Sequence, residues 1–152
     1  MQIVDIDFCV PDDIRSLVEI EEVCFDIPWE EYMIERDLNE PGNAIYLKAV
    51  IKGTIAGYGV LGRADDTAHL MNLAVLPEYR RQGIALQLMT AFGEISEDWR
   101  CRRMCLEVRS SNNIARDFYA SIGFVYLSRI KGYYVDREDA LVLTARLPLR
   151  IP

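Results

Sequence analysis

The sequence predicts an α/β (α+β) domain, a mixed central sheet of about six to seven strands flanked by about four helices. Strand-like and helical segments follow one another in the order β, α, α, β, β, β, α, β, α, β, β over 152 residues, an order that fits a mixed sheet covered by helices. The apolar pattern continues from Ile3 to Leu149 without repeat, low-complexity tract or linker, so residues 1–152 are expected to form one domain. At residues 73–86, Leu-Ala-Val-Leu-Pro-Glu-Tyr-Arg-Arg-Gln-Gly-Ile-Ala-Leu, an apolar strand breaks at Pro77 and restarts as a helix behind an Arg-Arg-Gln-Gly loop. That junction supplies the one clear βαβ crossover.

Each element has its own signal. Residues 2–9 alternate as a strand, and Pro11-Asp12 opens a helix carrying Ile14, Leu17, Val18, Glu21 and Phe25 at a 3.6-residue period until Pro28 ends it. Residues 30–38 form a second short helix. Pro41-Gly42 turns the chain into strands 44–51 and 54–62, a hairpin joined at Lys52-Gly53. Strand 67–76 precedes the Arg-Arg-Gln-Gly loop, and helix 83–98 aligns Ile84, Leu88, Met89, Phe92 and Ile95. Strand 102–108 leads to helix 112–121, with Ile114, Ala115, Phe118 and Ile122 expected inward and Gly123 as its C-terminal cap. Strands 124–130 and 139–147 finish the chain.

Composition excludes several functions. A net charge of −7 argues against a nucleic-acid surface, whose affinity comes largely from Lys and Arg on phosphates. Arg80, Arg81, Arg100, Arg102 and Arg103 still gather as a local anion site, with a solvated rim the other reading for the last three. No apolar run approaches the roughly 18 residues of a membrane span, and no secretory leader is evident, so a cytoplasmic protein off the membrane is expected. The four cysteines, 9, 24, 101 and 105, form no Cys-x-x-Cys pair and have a single histidine, His69, to join them. Free core thiols and no metal are expected.

A helix start leaves backbone N–H groups unpaired and carries partial positive charge, so residues 80–86 suit a phosphate group. Gly83 lets the backbone approach the ligand, and Arg80 and Arg81 can add charged contacts. No Gly-x-x-x-x-Gly-Lys-Ser/Thr run occurs, and Gly57, Gly59 and Gly62 lack dinucleotide spacing. The segment resembles the Arg/Gln-x-x-Gly-x-Gly/Ala signature of the GNAT acetyltransferase superfamily, through Arg80, Gly83 and Ala85. Leu106-Glu-Val-Arg-Ser-Ser-Asn-Asn113, Phe118-Tyr-Ala-Ser-Ile-Gly-Phe124, Tyr133-Tyr-Val-Asp-Arg-Glu-Asp-Ala140 and Cys24-Phe-Asp-Ile-Pro-Trp29 are similar to motifs of its RimI-type N-terminal acetyltransferases, in the same order. The family includes the ribosomal-protein alanine N-acetyltransferases. The resemblance covers essentially the whole chain and implies the GNAT fold with acetyl-coenzyme A as co-substrate.

The resemblance also assigns roles. Arg80, Arg81, Gln82, Gly83, Ile84, Ala85 and Leu86 would hold the coenzyme diphosphate, while Leu73, Ala74 and Val75 would pair through backbone groups with its amide-bearing arm. A backbone N–H near Val75 is the family's oxyanion donor. Glu107 maps onto the proton acceptor. Read from the residues alone, it is an ionisable group inside an apolar run, where burial would make a stronger base, or a partner of Arg103 or another cation. Tyr119 reads as a core tyrosine, and the resemblance makes it the proton donor to the departing thiolate; a phenol with an ordinary pKa of about 10 keeps its proton at neutral pH. Asn112 can cap the following helix and, by resemblance, contact the coenzyme. His69 reads as a partly buried strand residue without a catalytic role, and Cys105 lacks the histidine partner a nucleophile needs.

Phe25, Trp29, Tyr133 and Tyr134 are implied to flank a peptide slot, though each aromatic could simply pack. Deprotonating a lysine ammonium at neutral pH costs about 3.4 kcal/mol more than deprotonating an α-ammonium, so a carboxylate base suits an N-terminal amine. The expected acceptor is therefore a protein or peptide N-terminus, ribosomal proteins among the candidates, and the acidic body favours basic tails. Other readings are a GNAT acting on a small-molecule amine or a lysine side chain, and a non-catalytic acyl-coenzyme A-binding regulator. Ala85 replaces the second glycine of the signature, which the pattern permits. The loop between Tyr134 and Glu138 is shorter than in the bacterial ribosomal-protein enzymes, and the broad archaeal N-terminal acetyltransferases compare equally well. That shortening bears on peptide selectivity rather than on the chemistry.

Overall fold

A computed structural model describes residues 1–40, 42 and 44–152. The elements are β1 (Asp5–Phe8), α1 (Ile14–Cys24), α2 (Glu31–Asn39), β2 (Ile45–Ile51), β3 (Thr54–Ala64), β4 (Thr67–Val75), α3 (Ile84–Asp98), β5 (Arg103–Arg109), α4 (Asn113–Ser121), β6 (Val125–Ile130) and β7 (Ala140–Arg146). Single 3-10 turns occupy Pro11–Asp13 and Pro77–Tyr79. The element order is the one expected. The expected turn at Pro41 lies outside the described residues. The strands are ordered β1-β2-β3-β4-β5-β7-β6, with β4 and β5 parallel and β1/β2, β2/β3, β5/β7 and β6/β7 antiparallel.

The chain divides into two compact units, Met1–Gly62 with Asn72–Phe92, and Arg63–Met71 with Gly93–Pro152. The first is built around Leu17, Ile20, Ile34, Tyr46, Tyr58, Val60 and Ala74. Its opening turn is closed by Asp13, whose carboxylate accepts the Val10 N–H at 2.8 Å and holds the Lys48 ammonium at 2.7 Å. Helix α1 stops at Cys24, because Phe25 is already extended, with φ −131° and ψ 138°. The expected terminator, Pro28, lies three residues further on. At the β2/β3 hairpin Lys52 and Gly53 both have positive φ, 48° and 79°, as a two-residue turn between twisted strands requires.

Strand β1 is shorter than the expected 2–9 because the first residues have other partners. Gln2 N–H donates to the Gln82 carbonyl at 2.9 Å, and Val4 N–H to Gln87 Oε1 at 3.1 Å. Ile84, Leu88, Met89 and Phe92 are buried on one face of α3, as their spacing predicts. The backbone of β4 comes so near β3 that a Cβ at Gly57 would sit 2.7 Å from the Ala74 carbonyl oxygen. Glycine at position 57 is thus a condition for the path of β4.

In the second unit the β4/β5 ladder runs from Thr67 opposite Arg103 to Leu70 opposite Leu106. Met104, Leu106 and Val108 are buried, which leaves Cys105 and Glu107 on the other face of β5. Asn112 opens α4 by accepting the Ala115 N–H at 3.1 Å, and Gly123 closes it at φ 104°. Ile114, expected inside, is 83% exposed. The inner stripe is centred on Ala115, Tyr119 and Ile122, and a residue one position earlier is turned about 100° away from that line. On α3, Ser96 is buried where Ile95 was expected, and Ile95 is half-buried. Strand β6 is exposed along its whole length.

Gly57→Ala is expected to lower unfolding free energy by about 1–3 kcal/mol, the usual range for overpacking against an immobile neighbour. Urea denaturation checks it.

Candidate active site

In the first unit the strand-to-helix junction leaves a run of amides unpaired. Among the described residues, the N–H groups of 81–86 have no hydrogen-bond acceptor, and the first bond of α3 comes from Gln87 N–H to the Gly83 carbonyl at 3.2 Å. Arg81 and Gly83 have φ of 63° and 80°, and this left-handed geometry breaks the ladder that would otherwise consume those donors. The junction is a run of unpaired N–H groups at the positive end of a helix dipole, the chemistry that takes a phosphate or diphosphate. Arg80 is less free than expected. Its Nε donates to the Val75 carbonyl at 2.9 Å and its terminal nitrogen approaches Cys24 Sγ at 3.7 Å, so it braces β4 against the loop. Gln82 Nε2 donates to the Glu78 carbonyl at 3.2 Å. Ile84, Ala85 and Leu86 form the first turn of α3, and Leu73, Ala74 and Val75 end β4.

Phe25 and Trp29 are both half-buried against the Leu17 and Ile34 cluster. Packing is thus part of their role. The Trp29 N–H donates to Glu21 Oε1 at 2.8 Å.

In the second unit Glu107 is only partly buried. Its side chain is 21% exposed and receives His69 Nε2 at 2.9 Å on Oε1 and 3.1 Å on Oε2. An ionised carboxylate only accepts, so Nε2 carries the hydrogen. Arg103, expected from spacing, makes no ion pair with Glu107 among the described residues; the partner is the histidine of the neighbouring strand. The Glu107 hydrogen bond raises the His69 pKa above its ordinary 6.5, against the opposing pull of burial. The Tyr133 hydroxyl donates to Glu107 Oε1 at 3.4 Å. Its own pKa is pushed up, first by burial and then by the carboxylate.

Tyr119 is 8% exposed and packs edge-on against Phe118 and Phe124, with centroids 5.3 and 5.5 Å away. Burial, with a smaller contribution from Tyr134, raises its pKa far above the ordinary phenol value, so the hydroxyl holds its proton at every physiological pH. Among the described residues that hydroxyl has no partner and no buried side-chain oxygen is left unpaired, so the hydroxyl reaches solvent. Tyr134 meets the Tyr133 ring edge-on at 5.0 Å and carries the Arg109 guanidinium 4.1 Å from its centroid. Arg109 Nη1 also donates to Asp136 Oδ2 and Glu138 Oε1, each at 2.9 Å. Hydrogen bonds from Ser111 and Arg109 pull the Glu138 carboxyl down to about 2. This cluster ties the β6/β7 connection to the end of β5. Asn112 is exposed at the head of α4.

Residues 14–124 match the model of the Acetyltransferase (GNAT) family. The chain belongs to that family. It is 32% identical over 146 residues to a [Ribosomal protein bS18]-alanine N-acetyltransferase of Haemophilus ducreyi, covering 93% of this chain and 99% of that one. It is 30% identical over 150 residues to an N-alpha-acetyltransferase of Saccharolobus solfataricus, covering 90% and 89%. The crystal structure of the ribosomal-protein-S18-alanine N-acetyltransferase from Escherichia coli superposes with a TM-score of 0.86 at 28% identity, over 95% of this chain and 94% of that one. The protein is thus a GNAT acetyltransferase with the mixed seven-stranded sheet and four helices of that fold.

The residue that sequence reasoning missed in this GNAT enzyme is His69. A signal was available: Ala68 and Leu70 are apolar, so His69 faces opposite to them, and a parallel β4/β5 pair brings it to the face of Glu107. Register was the missing quantity, and it sets His69 beside Cys105, two residues from Glu107.

The chain's single histidine gives an unambiguous NMR titration. His69 is expected to titrate above 6.5, and Glu107→Gln to bring it down toward that value. The pair's contribution to stability is fully present below about pH 6.5 and is lost as pH rises through the raised His69 pKa.

Proposed function

We propose that residues 1–152 form one acetyltransferase domain that transfers acetyl from acetyl-coenzyme A to the α-amine of a cytoplasmic protein or peptide N-terminus by direct attack. The Glu107–His69 hydrogen bond carries the reading. A lone carboxylate is a weak base toward an ammonium group. Its partner is an imidazole whose pKa that hydrogen bond raises, so the proton of the attacking amine has a second acceptor beside the carboxylate, which suits an α-ammonium, ordinarily about 7.7–8.0, better than a lysine ammonium, ordinarily about 10.4. Relatives named for alanine and N-alpha acetylation, at 30–32% identity over nearly their whole length, support the same acceptor. Ribosomal proteins are candidate targets.

Acetyl-coenzyme A supplies the acetyl thioester. The unpaired amides of residues 81–86 fit its diphosphate, with Arg80 bracing the loop, and Asn112 adds a polar contact. Leu73, Ala74 and Val75 offer strand-edge backbone groups to its amide arm, and an amide near Val75 stabilises the developing oxyanion. Phe25, Trp29, Tyr133 and Tyr134 flank the acceptor. Glu107, backed by His69, accepts the proton of the attacking amine. The nitrogen–carbon bond forms, the carbon–sulfur bond breaks, and Tyr119 gives its proton to the leaving thiolate.

Acetylation of a free-α-amine peptide library, read by mass spectrometry, tests the acceptor; label confined to lysine side chains, or no label, overturns it. Glu107→Gln and Tyr119→Phe are each expected to lower kcat by about 10²–10⁴, the usual worth of general acid–base groups, with acetyl-coenzyme A affinity nearly unchanged. Full turnover in both variants would refute these roles. Gly83→Val is expected to weaken coenzyme binding first, since valine resists positive φ. The wild-type pH profile of kcat/KM should rise through the raised His69 pKa, and His69→Gln should remove that limb.

A further inference from the structure

Glu21 is a carboxylate in an apolar centre. It is 1% exposed on α1 beside Leu17 and Ile20, and it pairs with no Lys, Arg or His among the described residues. A buried charge of this kind persists only when hydrogen bonds replace the lost water. Three donors do so: the Tyr58 hydroxyl at 2.6 Å and Asn72 Nδ2 at 2.8 Å on Oε2, and the Trp29 N–H at 2.8 Å on Oε1. Burial and the carboxylate together drive the Tyr58 pKa upward, so that hydroxyl stays a donor.

The three donors come from different parts of the same unit. Tyr58 lies on β3, and Asn72 lies on β4 immediately before Leu73, Ala74 and Val75. Trp29 lies in the connection between α1 and α2, which has no regular structure of its own. Among the described residues, the Trp29 N–H is the only backbone donor of residues 26–30 with an acceptor, and that acceptor is Glu21. One carboxylate therefore anchors the connection and is itself fixed by the strand residue that precedes the coenzyme-pairing stretch.

We propose that Glu21 is a positioning residue for the acceptor: its buried carboxylate holds residues 25–29 in the conformation that receives the incoming peptide. This rests on the acceptor-side role given above to Phe25 and Trp29. Glu21 touches neither substrate, and its effect is carried through the Trp29 amide. Removing its charge should loosen acceptor binding and leave coenzyme binding alone, because the diphosphate loop has its own supports in Arg80, Gln82 and Gly83.

The test uses Glu21→Gln, which keeps shape and presents an NH2 group to at least one of the present donors. Hydrogen–deuterium exchange of residues 25–30 should quicken about tenfold or more, the equivalent of losing a hydrogen bond to a charged group. The KM for the library hexapeptide of highest turnover should rise by a similar factor, with the acetyl-coenzyme A Kd within twofold of wild type. Glu21→Asp, which keeps the charge one methylene short of Trp29, should move both in the same direction by a smaller factor, and it serves if the glutamine variant does not fold. Unchanged exchange, unchanged peptide KM, or an equal loss of coenzyme affinity would each overturn the proposal. A wild-type protein that acetylates no α-amine peptide while Glu21→Gln still loosens residues 25–30 would overturn the proposed function and leave the anchor standing.

Discussion

The parallel ladder between β4 and β5 is short, and its register and its end set which polar groups meet and which stay unpaired. It runs through four residue pairs, ending at Leu70 and Leu106, although β4 continues to Val75 and β5 to Arg109. Beyond Leu70 the backbone groups of β4 on that edge have no strand partner among the described residues, and unpaired strand edges are sites for an added amide chain. Within the ladder, the register brings His69 onto Glu107. A single pairing constraint therefore joins a carboxylate to an imidazole.

Two charged groups, one buried and one near the surface, are held by hydrogen bonds that also define loops. Glu21 collects donors from β3, β4 and the α1/α2 connection, and Arg109 collects Asp136, Glu138 and the face of Tyr134. Both arrangements place a charge where it restrains an irregular segment bearing aromatic residues. Isolated surface ion pairs contribute little, about 0–1 kcal/mol, but a planar guanidinium that meets two carboxylates and a ring removes several loop conformations together. The junction at residues 81–86 works in the opposite sense. Its donors stay unpaired because positive φ at Arg81 and Gly83 prevents the helix from using them.

Local features were legible from the residues. The order of elements, the Lys52-Gly53 turn, the Asn112 cap, the Gly83 junction and the Gly123 cap depend on neighbours within a few positions, so composition and spacing carry them. Ile114 failed because the apolar stripe of a nine-residue helix can be drawn along more than one line, and packing selects among them. Glu107 was legible as an ionisable residue in an apolar strand, while its partner was not. The sequence offered Arg103 on its own strand or another cation, and the fold supplied His69 from 38 residues earlier in the chain. Glu21 was legible only as one member of a helical period.

By itself the sequence determined the GNAT order of strands and helices and the strand-to-helix break at the Arg-Arg-Gln-Gly loop, and it singled out Glu107, Asn112 and Tyr119 as candidate site residues. Those depend on periodicity, on φ restrictions and on motifs read along the chain. The tertiary structure decided which polar groups meet: Glu107 with His69 and Tyr133, Glu21 with Tyr58, Asn72 and Trp29, and Arg80 with Val75 rather than with solvent. Strand register and helix rotation set such meetings. Neither is encoded by near neighbours, because each is chosen by how buried surfaces pack and by the need to give every buried polar atom a partner.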